Sequence, residues 1–247
     1  MIASNPSMLS EKASSLLKLV AIFIVASSLI GCIGKPYEEN ASRNDVITIG
    51  DSIFDLNEVI EETLESYAGE TFRNYTQSGA ELQGGVFARP VVGQYSDARS
   101  TDSNISTIVM NGGGNDLLLP AYLFDPYKCR TRWYRRNLSK ACANLIDDLY
   151  VTAVNLLNDM AHDGVDNVIW LGYYELPGLN SNLTKALNYG DDFLSYACEV
   201  SSNANCQFVD PRGTIPASQV NRDAIHPTPE GSVNLANQIW PVLEPLL

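Results

Sequence analysis

Three short clusters of polar residues, placed where predicted strands end or where the last predicted helix begins, hold the groups needed for nucleophilic catalysis. Gly50-Asp51-Ser52 places a hydroxyl group at a strand-to-helix turn. Gly113-Gly114-Asn115-Asp116 supplies an Asn amide that can donate to a developing oxyanion. In Asp223-Ala224-Ile225-His226-Pro227, a carboxylate lies three residues from an imidazole, so it can orient the ring while the other ring nitrogen acts as a base.

Each cluster alone has a simpler structural interpretation, as a turn or a helix cap. The combination favours catalysis, because it supplies a nucleophile, a base with its orienting group and an oxyanion donor. The second histidine, His162, lies at a predicted helix end before Asp163-Gly164, where a cation interacts favourably with the helix dipole. His226 is therefore the candidate base. The sequence contains no G-x-S-x-G motif, which excludes the nucleophile elbow of the α/β-hydrolases.

A scaffold that brings strand ends together is predicted from the hydrophobic pattern. Apolar runs predict strands at residues 46–50, 71–76, 105–110, 165–171 and 206–209. Helical periodicity predicts helices at residues 56–67, 138–162, 181–200 and 229–243. Strands that alternate with helices predict an α/β protein, a three-layer α/β/α sandwich with a mainly parallel sheet. In such sheets the chemistry lies beyond the carboxyl ends of the strands.

At these positions the sequence resembles the SGNH (GDSL-type) serine hydrolases, from about residue 46 to the C-terminus. Gly50-Asp51-Ser52-Ile53 resembles the first block, with Ile in place of the usual Leu. Asn74-Tyr75-Thr76-Gln77-Ser78-Gly79 resembles the second, in which the family often has Gly where Thr76 stands. Gly113-Gly114-Asn115-Asp116 resembles the third block, and Asp223 to Pro227, with Gly231 following, resembles the last.

This resemblance implies a flavodoxin-like fold and an esterase or lipase that cleaves carboxylic esters through an acyl-enzyme, with no cofactor and no metal. Ser52 would be the nucleophile, His226 the base and Asp223 its orienting group. The backbone N–H groups of Ser52 and Gly79 and the side-chain amide of Asn115 would form the oxyanion hole. Two alternatives stay open: an acyltransferase that uses the same acyl-enzyme, and a non-catalytic binding lipoprotein on the same fold.

Residues 117–142 follow the oxyanion Asn and are rich in aromatic and basic side chains. This composition favours contact with an anionic or amphiphilic substrate, or with a headgroup surface. The alternative is a solvated loop whose arginines pair with the many acids of the domain. The candidate substrate contacts are Tyr122, Arg132, Trp133 and, after the predicted 165–171 strand, Tyr173, for which apolar packing is the alternative. The partner is a small-molecule or lipid-like ester.

The N-terminus resembles an export signal. Lys12 and Lys18 precede an apolar run that ends in Leu29-Ile30-Gly31-Cys32, which resembles the lipobox of bacterial lipoproteins. We therefore predict a signal peptide at residues 1–31, lipid attachment at Cys32, a tether at 32–45 and a hydrolase domain at 46–247. An uncleaved hydrophobic anchor is the alternative. Both place the domain outside the cytoplasm and at a membrane, on its periplasmic or extracellular side.

Composition narrows the partners and the kinds of site that this protein can have. The 247 residues include 16 Lys and Arg against 29 Asp and Glu, and a net charge of −13 argues against nucleic acid as a partner. Two histidines nearly exclude a metal site built mainly from imidazoles. Without Cys32, four of the five cysteines remain, an even number that favours disulfides in an exported chain. Three connectivities are possible, and the shortest loops favour Cys129 with Cys142 and Cys198 with Cys206.

Overall fold

Five parallel strands form the central sheet of the computed structural model, which describes residues 36–85, 87–179, 181–201 and 205–247. The predicted signal peptide and Cys32 lie outside these residues. In spatial order the strands are β2-β1-β3-β4-β5, and each neighbouring pair is parallel. Their bounds are β1 Arg43–Ile49, β2 Phe72–Asn74, β3 Thr107–Met110, β4 Asn167–Leu171 and β5 Asn205–Val209.

All five predicted strands are present because each one supplies apolar side chains to the core. In β1, Val46, Ile47 and Ile49 are fully buried, which is typical of a parallel strand covered on both faces. β1 begins at Arg43, however, and the backbone of Glu38 pairs with that of Asn74 at 2.9 and 3.0 Å. The fold therefore includes residues that were predicted to belong to the tether.

Seven α-helices connect or follow these strands within the described part of the chain. Their bounds are α1 Ser52–Asp55, α2 Val59–Ala68, α3 Val91–Thr101, α4 Gly114–Leu123, α5 Lys140–His162, α6 Ser181–Val200 and α7 Pro229–Leu243. The four predicted helices correspond to α2, α5, α6 and α7. Helices α1, α3 and α4 were not predicted.

The helices cover the sheet in two layers. α2 packs against α7, and α6 packs against α4 and α5. The chain adds β2 on one side of β1 and then β3, β4 and β5 on the other. Since crossovers between parallel strands are right-handed, this reversal sends α2 and the helices of the later crossovers, α3 to α6, to opposite faces of the sheet, and α7, which follows β5, packs with α2. The architecture is the predicted three-layer α/β/α sandwich, and the reversal beside β1 is a topological switch point.

Two disulfides join segments that are close in sequence, and they confirm the predicted pairing. Cys129–Cys142 links the segment after α4 to the first turn of α5, and Cys198–Cys206 links the end of α6 to β5. Disulfides form and persist in oxidising compartments, so they indicate an extracellular or periplasmic location. None of the described helices is both long and apolar enough to cross a membrane.

Candidate active site

The turn between β1 and α1 places Ser52 at the carboxyl edge of the sheet. Asp51 is the N-cap of α1, and its carboxylate accepts a hydrogen bond from the backbone N–H of Ile53 at 2.9 Å. A Cβ at Gly50 would lie 2.0 Å from Asn111 Oδ1, so only glycine lets the chain pass this close to the end of β3. Ser52 then begins the helix and is 9% exposed.

Ser52, His226 and Asp223 form a continuous hydrogen-bond chain. His226 Nε2 lies 2.9 Å from Ser52 Oγ, and His226 Nδ1 lies 2.8 Å from Asp223 Oδ2. Because a carboxylate only accepts, it selects the tautomer with the proton on Nδ1 and leaves Nε2 free to accept the Ser52 proton. The structure thus brings together the three residues that the sequence predicted as nucleophile, base and orienting group.

Asp223 is held in its ionised form by the backbone around it as well as by the imidazole. Its Oδ1 accepts the N–H groups of Ile225 at 2.9 Å and of His226 at 3.0 Å. Burial alone raises the pKa of this carboxyl, but the hydrogen bonds from His226 and from these backbone groups outweigh it and lower the pKa to about 2. The group facing the imidazole is therefore a carboxylate over the whole physiological pH range.

The loop that contains Asp223 and His226 is fixed from two directions. Asn221 N–H donates to the carbonyl of His226 at 2.8 Å, which closes the loop on itself. The hydroxyl of Tyr174, which follows β4, donates to the carbonyl of Ile225. Tyr174 is therefore a positioning residue for this loop, and its partner lies 51 positions away in the sequence.

The three predicted oxyanion donors follow the adjacent strands β1, β2 and β3: Ser52 and Asn115 lie in the first turns of α1 and α4, and Gly79 lies in the loop after β2. Asn115 Nδ2 donates one hydrogen bond to the carbonyl of Ala80 at 3.0 Å, which ties it to the residue beside Gly79. An amide nitrogen has a second proton to donate. Across the described residues, the backbone N–H groups of Ser52 and Gly79 have no acceptor. Each of the three groups thus has a proton that is not used within the described residues.

A buried polar network below Ser52 was missed by the sequence analysis. Asp51 is 1% exposed, and its carboxylate accepts the hydroxyl proton of Tyr173 and an amide proton of Asn111, the latter at 2.8 Å. Asn111 Oδ1 in turn accepts the N–H of Asp51 at 2.9 Å. Burial raises the pKa of Asp51 despite these donors. The sequence did contain a signal for this network, because polar residues lie within two positions of the ends of β1, β3 and β4.

Tyr173, which was predicted to contact the substrate, is buried in the structure. Its side chain is 5% exposed, and its hydroxyl group is used by Asp51 in the interior. The ring passes so close to the start of α4 that a Cβ at Gly114 would lie 2.3 Å from it. Tyr173 therefore supports the nucleophile turn from below and is a positioning residue.

The other three predicted substrate contacts lie on the outside of the molecule. Tyr122 is at the exposed end of α4, and Arg132 and Trp133 lie in the segment between α4 and α5. α5 leads back to the amino end of β4. The start of α5, and the segment before it, therefore lie at the same carboxyl edge of the sheet as Ser52. The described contacts include none between these side chains and the Ser52–His226–Asp223 chain.

An apolar pocket lies between α4, α5 and α6, with Gly113, Leu117, Ile146, Leu187 and Leu194 among its lining residues. Ser52 and His226 do not line this pocket. Since the hydrogen-bonded residues and not the pocket hold the reactive groups, we place the site at Ser52.

Comparison with known proteins supports the fold. No known family profile matches the chain, and no curated protein sequence matches it. Among solved structures, the lipase Lip_vut3 from a goat rumen metagenome matches with a TM-score of 0.58 at 14% identity, over 78% of this chain and 94% of the lipase. A protein of Slackia heliotrinireducens, provisionally assigned to the SGNH hydrolases, matches with a TM-score of 0.55 at 14% identity, over 80% and 97%.

A catalytic mutant of Axe2, an acetylxylan esterase from Geobacillus stearothermophilus, matches with a TM-score of 0.57 at 16% identity, over 83% of this chain and 95% of the esterase. Identities this low establish the fold alone. The chain therefore has the SGNH hydrolase fold, as the motif resemblance implied, and what it does is argued from its own residues.

Asp191 of α6 gives a prediction for the pH dependence of stability. Its buried carboxyl accepts the backbone N–H of Tyr173 at 3.3 Å, and burial raises its pKa from 3.8 to about 8. Between these two values the folded state keeps a proton that the unfolded state has released. Stability from this group is therefore complete below about pH 3.8 and is lost as the pH rises to about 8, by roughly 1.4 kcal/mol per pH unit.

Asp191→Asn removes this titration and keeps an oxygen acceptor for the Tyr173 N–H. The free energy of unfolding of the variant, measured in urea at pH 5, 6 and 7, should fall less steeply with pH than that of the unaltered protein. Asp192→Asn, which changes the exposed neighbouring carboxylate, is the matched control. Equal slopes for Asp191→Asn and the unaltered protein would contradict the assignment.

Proposed function

We propose that this chain hydrolyses carboxylic esters through an acyl-enzyme formed on Ser52. The observation that supports this most directly is the pair of contacts at 2.9 and 2.8 Å that joins Ser52 Oγ, His226 and Asp223. The same constellation activates serine in hydrolases of unrelated folds, and it is recognised by geometry and roles. The SGNH hydrolase fold, shared with lipases and esterases, agrees with this assignment.

In the first half-reaction Ser52 Oγ attacks the ester carbonyl while His226 Nε2 takes its proton. Asp223 stabilises the imidazolium that forms. The carbonyl oxygen becomes an oxyanion that accepts hydrogen bonds from the Ser52 and Gly79 N–H groups and the Asn115 amide. His226 then gives its proton to the leaving alkoxide, the ester bond breaks, and the alcohol departs from the acyl-enzyme.

In the second half-reaction a water molecule replaces the alcohol. His226 takes one proton of the water, the hydroxide attacks the acyl carbon, and the same donors stabilise the second oxyanion. Collapse of this intermediate returns the proton to Ser52 and releases the carboxylic acid. If an alcohol or sugar hydroxyl enters instead of water, the same steps transfer the acyl group, so the acyltransferase alternative differs only in the acceptor.

Ser52→Ala and His226→Ala should each lower ester turnover by at least 10³-fold, because each removes a member of a unit that acts together. Turnover of an aryl acetate measures the loss, and unfolding in urea checks that both variants fold. A fluorophosphonate probe should label the unaltered protein at Ser52 and leave Ser52→Ala unlabelled. The exposed serine variant Ser100→Ala is the matched control.

Near-normal turnover by either variant would overturn the proposed mechanism. An unaltered protein that folds but neither reacts with the probe nor hydrolyses any ester would instead favour the non-catalytic binding lipoprotein.

Asn115→Ala should lower kcat by about 10²- to 10³-fold, because the lost amide proton stabilises charge that exists only in the transition state. KM should change little, since the ground-state carbonyl oxygen is a weaker acceptor. Steady-state kinetics on a soluble ester separate the two parameters. A variant whose KM rises while its kcat is unchanged would place Asn115 in substrate binding and outside the oxyanion hole.

We also propose that the protein is exported and held at a membrane by a lipid on Cys32. The two disulfides support export. In a bacterial host, Cys32→Ser should move the protein out of the detergent phase of a phase-separating detergent, because the residue that receives the lipid is gone. High-salt washing removes protein held only by charge. A Cys32→Ser protein that still partitions into detergent would favour the uncleaved hydrophobic anchor.

A further inference from the structure

Residues 124–139, between α4 and α5, form a loop that presents aromatic side chains to solvent; we call it the 124–139 loop. At its tip, Arg132 and Arg135 exchange backbone hydrogen bonds at 3.2 and 2.9 Å. The two residues between them, Trp133 and Tyr134, are 90% and 66% exposed, and their rings meet edge to face at 5.3 Å. Exposed aromatic side chains of this size, placed together on a turn, contribute little to the core and suit binding.

The 124–139 loop is held in place by other parts of the fold, so its exposed aromatic rings lie on a protrusion of fixed structure. Cys129 is bonded to Cys142 of α5. Ser139 Oγ donates to the carbonyl of Tyr127 at 2.6 Å, and Asn182 Nδ2 of α6 donates to the carbonyl of Asn137 at 3.1 Å. A loop fixed in this way loses little conformational entropy when its tip binds.

Most cations of this region form no ion pair, whereas four arginines elsewhere in the protein do. Elsewhere Arg43, Arg89, Arg99 and Arg212 each form an ion pair with Asp or Glu. In the loop and at the start of α5, only Arg135 does so, with Asp125 at 3.5 Å. Within the described residues, five more cations form no ion pair: Lys128, Arg130, Arg132, Arg136 and Lys140. The alternative that the arginines of this segment pair with the acids of the domain is therefore wrong for all but Arg135.

We propose that the 124–139 loop docks on a bilayer that contains anionic phospholipids, with Trp133 and Tyr134 entering the headgroup region. Trp and Tyr prefer this depth because their rings are amphipathic. Unpaired cations beside them complement anionic headgroups, and each Lys or Arg near such a surface strengthens binding roughly fivefold. A chain with a net charge of −13 is otherwise repelled by anionic headgroups, so this basic region is the part of its surface that complements them.

A bilayer fits this tip better than a soluble polyanion does. The aromatic pair is on a convex turn, and a fluid interface accepts a convex tip without a complementary pocket. An acidic polymer would use the cations but gains little from two protruding rings. Because the loop lies at the carboxyl edge of the sheet, docking would also turn the edge with Ser52 towards the membrane.

Quenching by brominated acyl chains tests this in the full-length protein. The chain has three tryptophans; Trp170 is fully buried in β4, and Trp240 packs on Tyr67 in the layer of α2 and α7. Vesicles of brominated phosphatidylglycerol should therefore quench Trp133 alone, and vesicles of brominated phosphatidylcholine should quench it much less. Binding through the N-terminal segment without the loop leaves Trp133 in water and unquenched.

Trp133→Phe should abolish the quenching. Arg132→Gln with Arg136→Gln should weaken it, shifting the half-maximal lipid concentration by about 25-fold, since two fivefold terms are lost. Arg89→Gln with Arg99→Gln, which removes the same charge outside the loop, should not shift it. The proposal is overturned if Trp133 is not quenched, if both lipids quench equally, or if both double variants shift alike. It is also overturned, in favour of a soluble polyanion, if polyglutamate binds through Arg132 and Arg136 while vesicles do not quench. None of these readouts depends on ester hydrolysis.

Discussion

The carboxylate of Asp51 accepts hydrogen bonds from the Ile53 N–H, the Asn111 side chain and the Tyr173 hydroxyl, and it joins the ends of the three central strands beneath the nucleophile. Asp51, Asn111 and Tyr173 lie just beyond the ends of β1, β3 and β4, respectively. A buried carboxyl is costly unless it is fully hydrogen-bonded, so the three strand ends are held in one arrangement. The direction of the turn at Ser52 follows from that arrangement, and with it the position of the oxygen that can react.

The two consecutive tyrosines after β4 support two different parts of the candidate site. Neighbouring residues of an extended chain point in opposite directions, so Tyr173 reaches Asp51 while Tyr174 reaches the carbonyl of Ile225. One hydroxyl thus supports the nucleophile turn and the other supports the loop of the base. The 2.9 Å contact between Ser52 and His226 joins segments 174 residues apart, and it depends on this common support from β4.

The sheet and the residues that meet at Ser52 could be predicted from the sequence because both have local signals. Buried parallel strands are continuous apolar runs, and the blocks around Ser52, Asn115 and His226 are short and compact. Helix α3 was missed because its buried residues include Gly93 and Gln94, which weaken the apolar stripe. The first residues of β1, including Arg43, are polar and gain their place from partners such as Asp45 and Glu70. The role of Tyr173 depends on a partner 122 positions away, which no local pattern contains.

The carboxyl edge of the sheet differs from the rest of the surface in its charge, because a group of cations without ion pairs lies there. Outside the 124–139 loop four arginines pair with acids, as Arg212 does with Asp210, and such pairs add little to stability. Inside the loop, cations without ion pairs and exposed aromatic rings lie on a framework that the Cys129–Cys142 disulfide and α6 hold in place. Maintaining a rigid, exposed Trp133 does not serve packing. Because the same edge holds Ser52, an amphiphilic surface that attracts the loop would bring the reactive hydroxyl to whatever esters it contains. The loop would then determine the surface at which the protein acts, and the donors around Ser52 would determine the reaction that takes place there.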